Sequence, residues 1–150
     1  MKTVKTDLVV AGCLIHEGKV LLVHHRKLGL WLPPGGHIEK DEVPDDAIVR
    51  EFKEELNLDV EPLNQRAVAD AGNIKRQLAL PFCVNVHSVG DHDHCCFYYL
   101  LKLAGRNEPR HLESELKGFA WFSPEELKQN RVPGDVRNIA ALALETRKKA

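Results

Sequence analysis

Three absences narrow the possibilities before any residue is singled out. No apolar run approaches the roughly 18 residues that a membrane-spanning helix needs. The charged start at Lys2, Lys5 and Asp7, with His16 and Glu17 closing a short apolar stretch, reads as a strand rather than a leader. A cytoplasmic protein with no membrane partner is therefore expected. Charge of one sign is also missing, because 21 lysines and arginines face 22 aspartates and glutamates. Nothing then draws the whole molecule to nucleic acid, and any anionic ligand must be held by a local arrangement. Finally, Cys13, Cys83, Cys95 and Cys96 show no Cys-x-x-Cys spacing, which suits reduced thiols rather than a disulfide framework.

The sequence has no internal repeat and no low-complexity stretch. With 43% hydrophobic and 29% charged side chains over 150 residues, one globular domain spanning 1–150 is expected. Its apolar segments are short and alternate in kind. Leu8 to Ile15 and Lys19 to His24 are β-rich runs around a His-Glu-Gly turn, the pattern of a hairpin. Trp31-Leu32-Pro33-Pro34-Gly35-Gly36 cannot be regular helix. From Pro44, Ile48, Phe52 and Leu56 recur every four residues, which predicts a helix to about Leu56. Strands are expected over Leu58 to Ala71, Pro81 to His87, Cys95 to Leu103 and Phe119 to Phe122. Ser123-Pro124-Glu125-Glu126 has the form of a capped helix start. A last helix capped by Asp135 should present Ile139, Leu142 and Ala143 as its apolar face. These elements predict a mixed sheet covered by helices, in the α/β or α+β class.

The chemistry concentrates on the central helix. Glu51, Glu54 and Glu55 stand at i, i+3 and i+4, so three carboxylates share one helical face. Like charges so placed repel, and divalent cations relieve them. Mg2+ or Mn2+ prefers such oxygen ligands and keeps water in its shell. Arg50 can orient Glu54 one turn away through a charge-assisted hydrogen bond. The Pro-Pro-Gly-Gly loop just before the helix lets backbone groups come close to a metal or phosphate. An isolated Glu-x-x-Glu-Glu is more often a solvated helix face, so the wider spacing decides.

That spacing is Gly36-x5-Glu42-x7-Arg50-Glu51-Phe52-x-Glu54-Glu55-Leu56-Asn57-Leu58, which resembles the signature box of the Nudix hydrolases. A Trp-x-x-Pro-Gly-Gly-like loop before it and Trp121-Phe122-Ser123-Pro124 after it extend the likeness. The resemblance implies a Nudix α/β/α sandwich and a phosphoanhydride hydrolase. Such an enzyme uses Mg2+ or Mn2+ and directs water at phosphorus in a nucleoside diphosphate linked to another moiety. It also implies metal-binding and catalytic roles for Glu51, Glu54 and Glu55, a supporting pair in Glu42 and Arg50, and a metal-facing carbonyl at Gly35. Asn57 stands where the box has glycine, and it is the residue that next best tolerates the left-handed turn ending a helix. Val43 is a poor helix cap, leaving Asp41 or solvent to serve the first amides.

Outside the box, Glu115 lies six residues before Trp121, where many Nudix enzymes carry another catalytic or metal-binding glutamate; Glu113 is its alternative. Arg26 can reach a phosphate with its planar fork, and His37 can touch one beside Gly36. The run His87-x4-His92-x-His94-Cys95-Cys96 leaves three readings open: a zinc site, a place for His92 or His94 in the substrate pocket, or a hairpin turn entering a strand. Other readings of the chain are a catalytically silent nucleotide- or protein-binding domain and an isomerase acting on a diphosphate. The intact glutamates oppose the first, and no cysteine is clearly placed for the second. The substrate's identity and pairing into a homodimer are not fixed by these residues.

Overall fold

The computed structural model describes residues 3–64 and 68–149. Strands β1 (Thr6–His16) and β2 (Lys19–His25) form the expected hairpin. Glu17 and Gly18 turn the corner at φ 51° and 75°, the positive pair that a tight I′ turn requires. Next come β3 (Trp31–Leu32), β4 (Gly35–His37), α1 (Pro44–Leu56) and β5 (Val60–Pro62). The chain closes with β6 (Cys83–Ser88), β7 (Asp93–Leu103), β8 (Leu116–Phe122) and α2 (Gly134–Lys149).

These strands make one mixed eight-stranded sheet. Its spine is the parallel pairing of β1 with β7, in register from Thr6 opposite Asp93 to Leu14 opposite Leu101. β4 joins β1 antiparallel, while β6 and β5 share the far edge of β7. β2 carries β3 and β8 on its two sides. Because strand side chains alternate, β1 feeds two cores. Val9, Ala11, Cys13 and Ile15 pack on the side of α2, with Val136, Ile139, Ala140, Ala143 and Leu144. Val10 and Leu14 pack on the side of α1, with Ile48, Phe52 and Leu56. Gly12 lies between them on the α1 face, where a side chain would collide with Phe52 and Leu101. The result is the expected α/β/α sandwich.

Four local expectations need correction. The strand from Leu58 runs only over Val60–Pro62: the Leu63 amide still donates to the Leu100 carbonyl at 2.8 Å, but Asn64 then turns with φ 64°. Residues 68–82 then cross irregularly, and positions 65–67 of that expected strand lie outside the described residues. Ser123 caps as expected: its hydroxyl accepts the Glu126 amide at 3.2 Å, and the Glu126 carboxylate accepts the Ser123 amide at 3.1 Å. Only one 3-10 turn follows, Glu126–Lys128. In α2, Gly134 already begins the helix, so Asp135 lies within its first turn, and Leu142 is exposed while Val136 and Leu144 complete the buried face. At α1, neither Asp41 nor any other side chain caps Val43. Asn57 does end α1 in the left-handed region (φ 58°, ψ 31°), its amide returning to the Lys53 and Phe52 carbonyls.

The four cysteines are free, and burial pushes the thiols of Cys13 and Cys96 up to about 12. Among the described residues, no helix is long and apolar enough to cross a membrane.

Candidate active site

Helix α1 presents its carboxylates unevenly. Glu55 falls seven residues after Ile48, on the edge of the buried stripe, and is 7% exposed. Glu51 is half-buried and Glu54 stands in solvent. Burial is the main force on Glu55 and pushes its carboxyl up to about 8, with repulsion from Glu51, Glu115 and Glu54 adding to it. A hydrogen bond from the Gly35 backbone works the other way. One carboxylate oxygen, Oε2, is buried without a hydrogen-bond partner. Glu51 is also raised, first by burial and against the pull of Arg50.

Arg50 organises the box. Its Nε and one terminal nitrogen donate to the two oxygens of Glu42 at 2.9 and 3.0 Å. The same fork reaches the His37 carbonyl at 3.0 Å, and the other nitrogen reaches Glu51 at 2.9 Å. Glu54, which the sequence suggested as its partner, is the more distant at 3.4 Å. Glu42 is held low in its titration by Arg50 and also accepts the Glu39 amide at 3.0 Å.

The double glycine has a steric purpose. A β-carbon on Gly36 would sit 2.6 Å from the Glu51 carboxyl carbon, and one on Gly35 would sit 2.7 Å from the Ala11 Cα. Both distances are below any real contact, so β4 can lie against β1 and cradle Glu51 only without side chains.

The second wall is the loop before β8. Leu112 and Arg110 donate their amides to the Glu55 and Leu56 carbonyls, each at 2.8 Å, tying this loop to the end of α1. Arg26 holds its other end: its amide donates to the Glu115 carbonyl at 2.9 Å, and its guanidinium to the Glu113 and Leu116 carbonyls at 2.7 and 3.3 Å. Arg26 thus lines the cavity with much of its fork engaged by backbone, a partnership its sequence position did not disclose. Glu115 faces the cavity with the three helix carboxylates, whereas Glu113 is not among the lining residues.

The cavity has a volume of about 850 Å³. Leu28, Leu32, Val89 and Leu112 give it apolar walls beside the acidic end. His37 and His94 line it, and His92 lies just outside, its Nδ1 2.7 Å from Asp91. Cys95 and Cys96 belong to no donor cluster among the described residues, and Cys96 is part of the α2-side core.

A central sheet between two helices, with a glycine-cradled carboxylate helix at its edge, defines a class, and the sequence matches that class directly. The chain belongs to the NUDIX domain family, which it matches over residues 6–142. In structure it resembles a NUDIX-family hydrolase from Clostridium perfringens, with a TM-score of 0.81 and 30% identity over 94% of this chain and 97% of that one. It has the fold of a MutT protein from Methanosarcina mazei, with a TM-score of 0.74 and 16% identity over the full length of both chains. Among curated proteins it is 39% identical over 69 residues to a putative ADP-ribose pyrophosphatase, YjhB, of Bacillus subtilis. It is 40% identical over 57 residues to the phosphatase NudJ of Escherichia coli K12. Those matches cover 46% and 36% of this chain, and 32% and 37% of the two relatives, so the chain spans about a third of their length.

Proposed function

We propose that residues 1–150 form one Nudix domain that hydrolyses a phosphoanhydride bond in a nucleoside diphosphate linked to a second moiety. The observation that carries this reading is the buried Glu55 carboxylate, with an unpartnered oxygen, facing Glu51, Glu54 and Glu115 across one cavity. Such a set is self-repelling without a cation and suits a hard divalent ion, Mg2+ or Mn2+. Glu51, Glu54, Glu55 and Glu115, with the Gly35 carbonyl, would hold it. Such an ion neutralises diphosphate oxygens and makes bound water acidic.

The chain's own groups do the rest. Arg50 fixes Glu51 and Glu42, so the carboxylates meet substrate without rearranging. Without a cation, burial and the neighbouring carboxylates push Glu55 up to about 8, so an incoming divalent ion would displace its proton and engage the carboxylate. The apolar wall receives the nucleoside or the second moiety, and His37, His94, His92 and Arg26 stand at the rim for phosphate oxygens. The relative named as an ADP-ribose pyrophosphatase puts ADP-ribose first among the substrates to be tried. A cytoplasmic enzyme working on small nucleotides, alone or as a homodimer, fits the balanced charge.

The test is a phosphate-release screen over ADP-ribose, sugar nucleotides, nucleoside triphosphates and dinucleoside polyphosphates, with Mg2+ and Mn2+ compared. Turnover of one class, lost in Glu54→Gln and Glu55→Gln variants that remain folded, is expected. Full activity in either variant would move the site elsewhere.

A further inference from the structure

The face of the sheet that α2 leaves open carries a row of histidines that the carboxylate metal site on α1 does not use. β4, β1, β7 and β6 are consecutive neighbours there, and the side chains of His37, Asp7, His94 and His87 follow one another across them. Asp7 is the register partner of His94, and His94 that of His87. His37 comes in from the other side, paired with Val9 two residues along from Asp7. The rings of His37, His87 and His92 stand 5.2, 5.7 and 5.1 Å from that of His94, each tilted edge-to-face.

One carboxylate lies among them. The Nε2 of His37 is 3.1 Å from Asp7 Oδ2, and the Nε2 of His92 is 3.5 Å from the same oxygen. One ligand atom each from Asp7, His37 and His94 lie within 4.8 Å of one another. Two ligands bonded at about 2.0–2.1 Å to a tetrahedral ion are separated by about 3.3 Å. The His37–Asp7 pair is already close to that separation, and a side-chain shift of at most about 1.5 Å brings His94 to it. The donors rise from three hydrogen-bonded strands, so the backbone fixes their spacing before any ion arrives.

We propose that Asp7, His37 and His94 form a second metal site, for a zinc-class transition ion, separate from the carboxylate site on α1. The donor sets divide the two by chemistry. Two imidazoles and one carboxylate favour Zn2+, Co2+ or Ni2+, while an all-oxygen set favours Mg2+ or Mn2+. Three protein ligands leave a fourth position of a tetrahedral ion open. Because His37 and His94 line the cavity, that position faces the substrate space. With one carboxylate against two positive charges, the occupied site carries a net positive charge, the sign that suits a phosphate.

The probe is the metal alone. The full chain, saturated with Mg2+, is titrated with Co2+ while visible absorption is followed, and with Zn2+ in a calorimeter. One equivalent should bind with the visible bands of a low-coordinate Co2+ site. His37→Ala and His94→Ala should each weaken binding by at least about tenfold. The double variant Glu54→Gln, Glu55→Gln should retain it. Asp7→Asn provides an independent reading should a histidine variant misfold, which circular dichroism would reveal. The proposal is overturned if the Mg2+-saturated chain binds no Co2+ or Zn2+ at 100-fold molar excess. It is equally overturned if binding persists undiminished in folded His94→Ala, or vanishes in the glutamate double variant.

Discussion

Arg50 grips Glu42 with two parallel bonds, 2.9 and 3.0 Å long, while the same guanidinium holds Glu51 at 2.9 Å. A planar fork can serve both at once, whereas a lysine ammonium is a single point of charge. Arg50→Lys should therefore keep the helix but release Glu51. Turnover is expected to fall at least about tenfold, with a higher Mg2+ requirement, as for loss of a group that orients a metal ligand. Steady-state kinetics against Mg2+ concentration checks it, and wild-type values would show that the fork is dispensable.

Glu55 makes the metal-free protein sensitive to pH. Its folded carboxyl titrates at about 8, against 4.5 as its ordinary value. The folded state therefore holds a proton that the unfolded chain releases between these values. Stability supplied by Glu55 is complete below about pH 4.5 and declines as pH rises toward 8, by an amount on the order of a few kcal/mol. The Tm of metal-free protein should fall over that window, and Glu55→Gln should flatten the profile. Mg2+ should restore the Tm at pH 8 by binding the folded state. Equal slopes for wild type and variant in thermal melts would contradict the burial argument.

Gly36 bears on Glu51 by shape alone. The methyl of Gly36→Ala would occupy the space of the carboxylate, so Glu51 must swing out or β4 must lift from α1. Activity should drop by at least about tenfold, the scale on which small misplacements of catalytic groups act. The Tm should change by only a few degrees. Activity assays beside thermal melts check this, and a large loss of Tm with full residual activity would reverse it.

Glu115 and Glu113 form a built-in comparison. Glu115→Gln should lower kcat much more than it changes KM, because the group faces the cavity with Glu51 and Glu55. Glu113→Gln should be near wild type, since its side chain does not line the cavity and, among the described residues, its backbone carbonyl is what Arg26 engages. Kinetics on the best substrate of the screen decides, and the opposite ranking would assign the role to Glu113.

The sequence was most informative where chemistry is local. Pro44, the four-residue spacing through Leu56 and Asn57 mark α1 from first to last residue, because start, stripe and cap are all neighbours in the chain. The carboxylate face follows from that helix alone. The histidine row was hidden, since His37, Asp7, His94 and His87 meet only through strand register, which no single segment specifies. Arg26 shows the same limit: its place after a strand points a planar fork at a phosphate, and only the fold shows that backbone carbonyls also hold it. The expected strand fails beyond Pro62 because Asn64 turns there with φ 64°, and residues 68–82 are held instead by long-range contacts: Asp45 accepts the Ala79 amide at 3.0 Å, and Asp46 holds Arg76 at 2.8 Å.

The two walls of the site should also differ in when they form. Arg50 meets Glu42 across 8 positions of chain, but Arg26 meets Glu113 across 87. Closing the longer loop costs more chain entropy and slows its formation. During refolding, the amides of α1 should gain protection from hydrogen exchange before those of Leu112 and Leu116, as pulse labelling can record. A nascent chain ending with β7 would carry the carboxylate helix without Glu115, so a first, weaker metal affinity is expected to appear ahead of turnover.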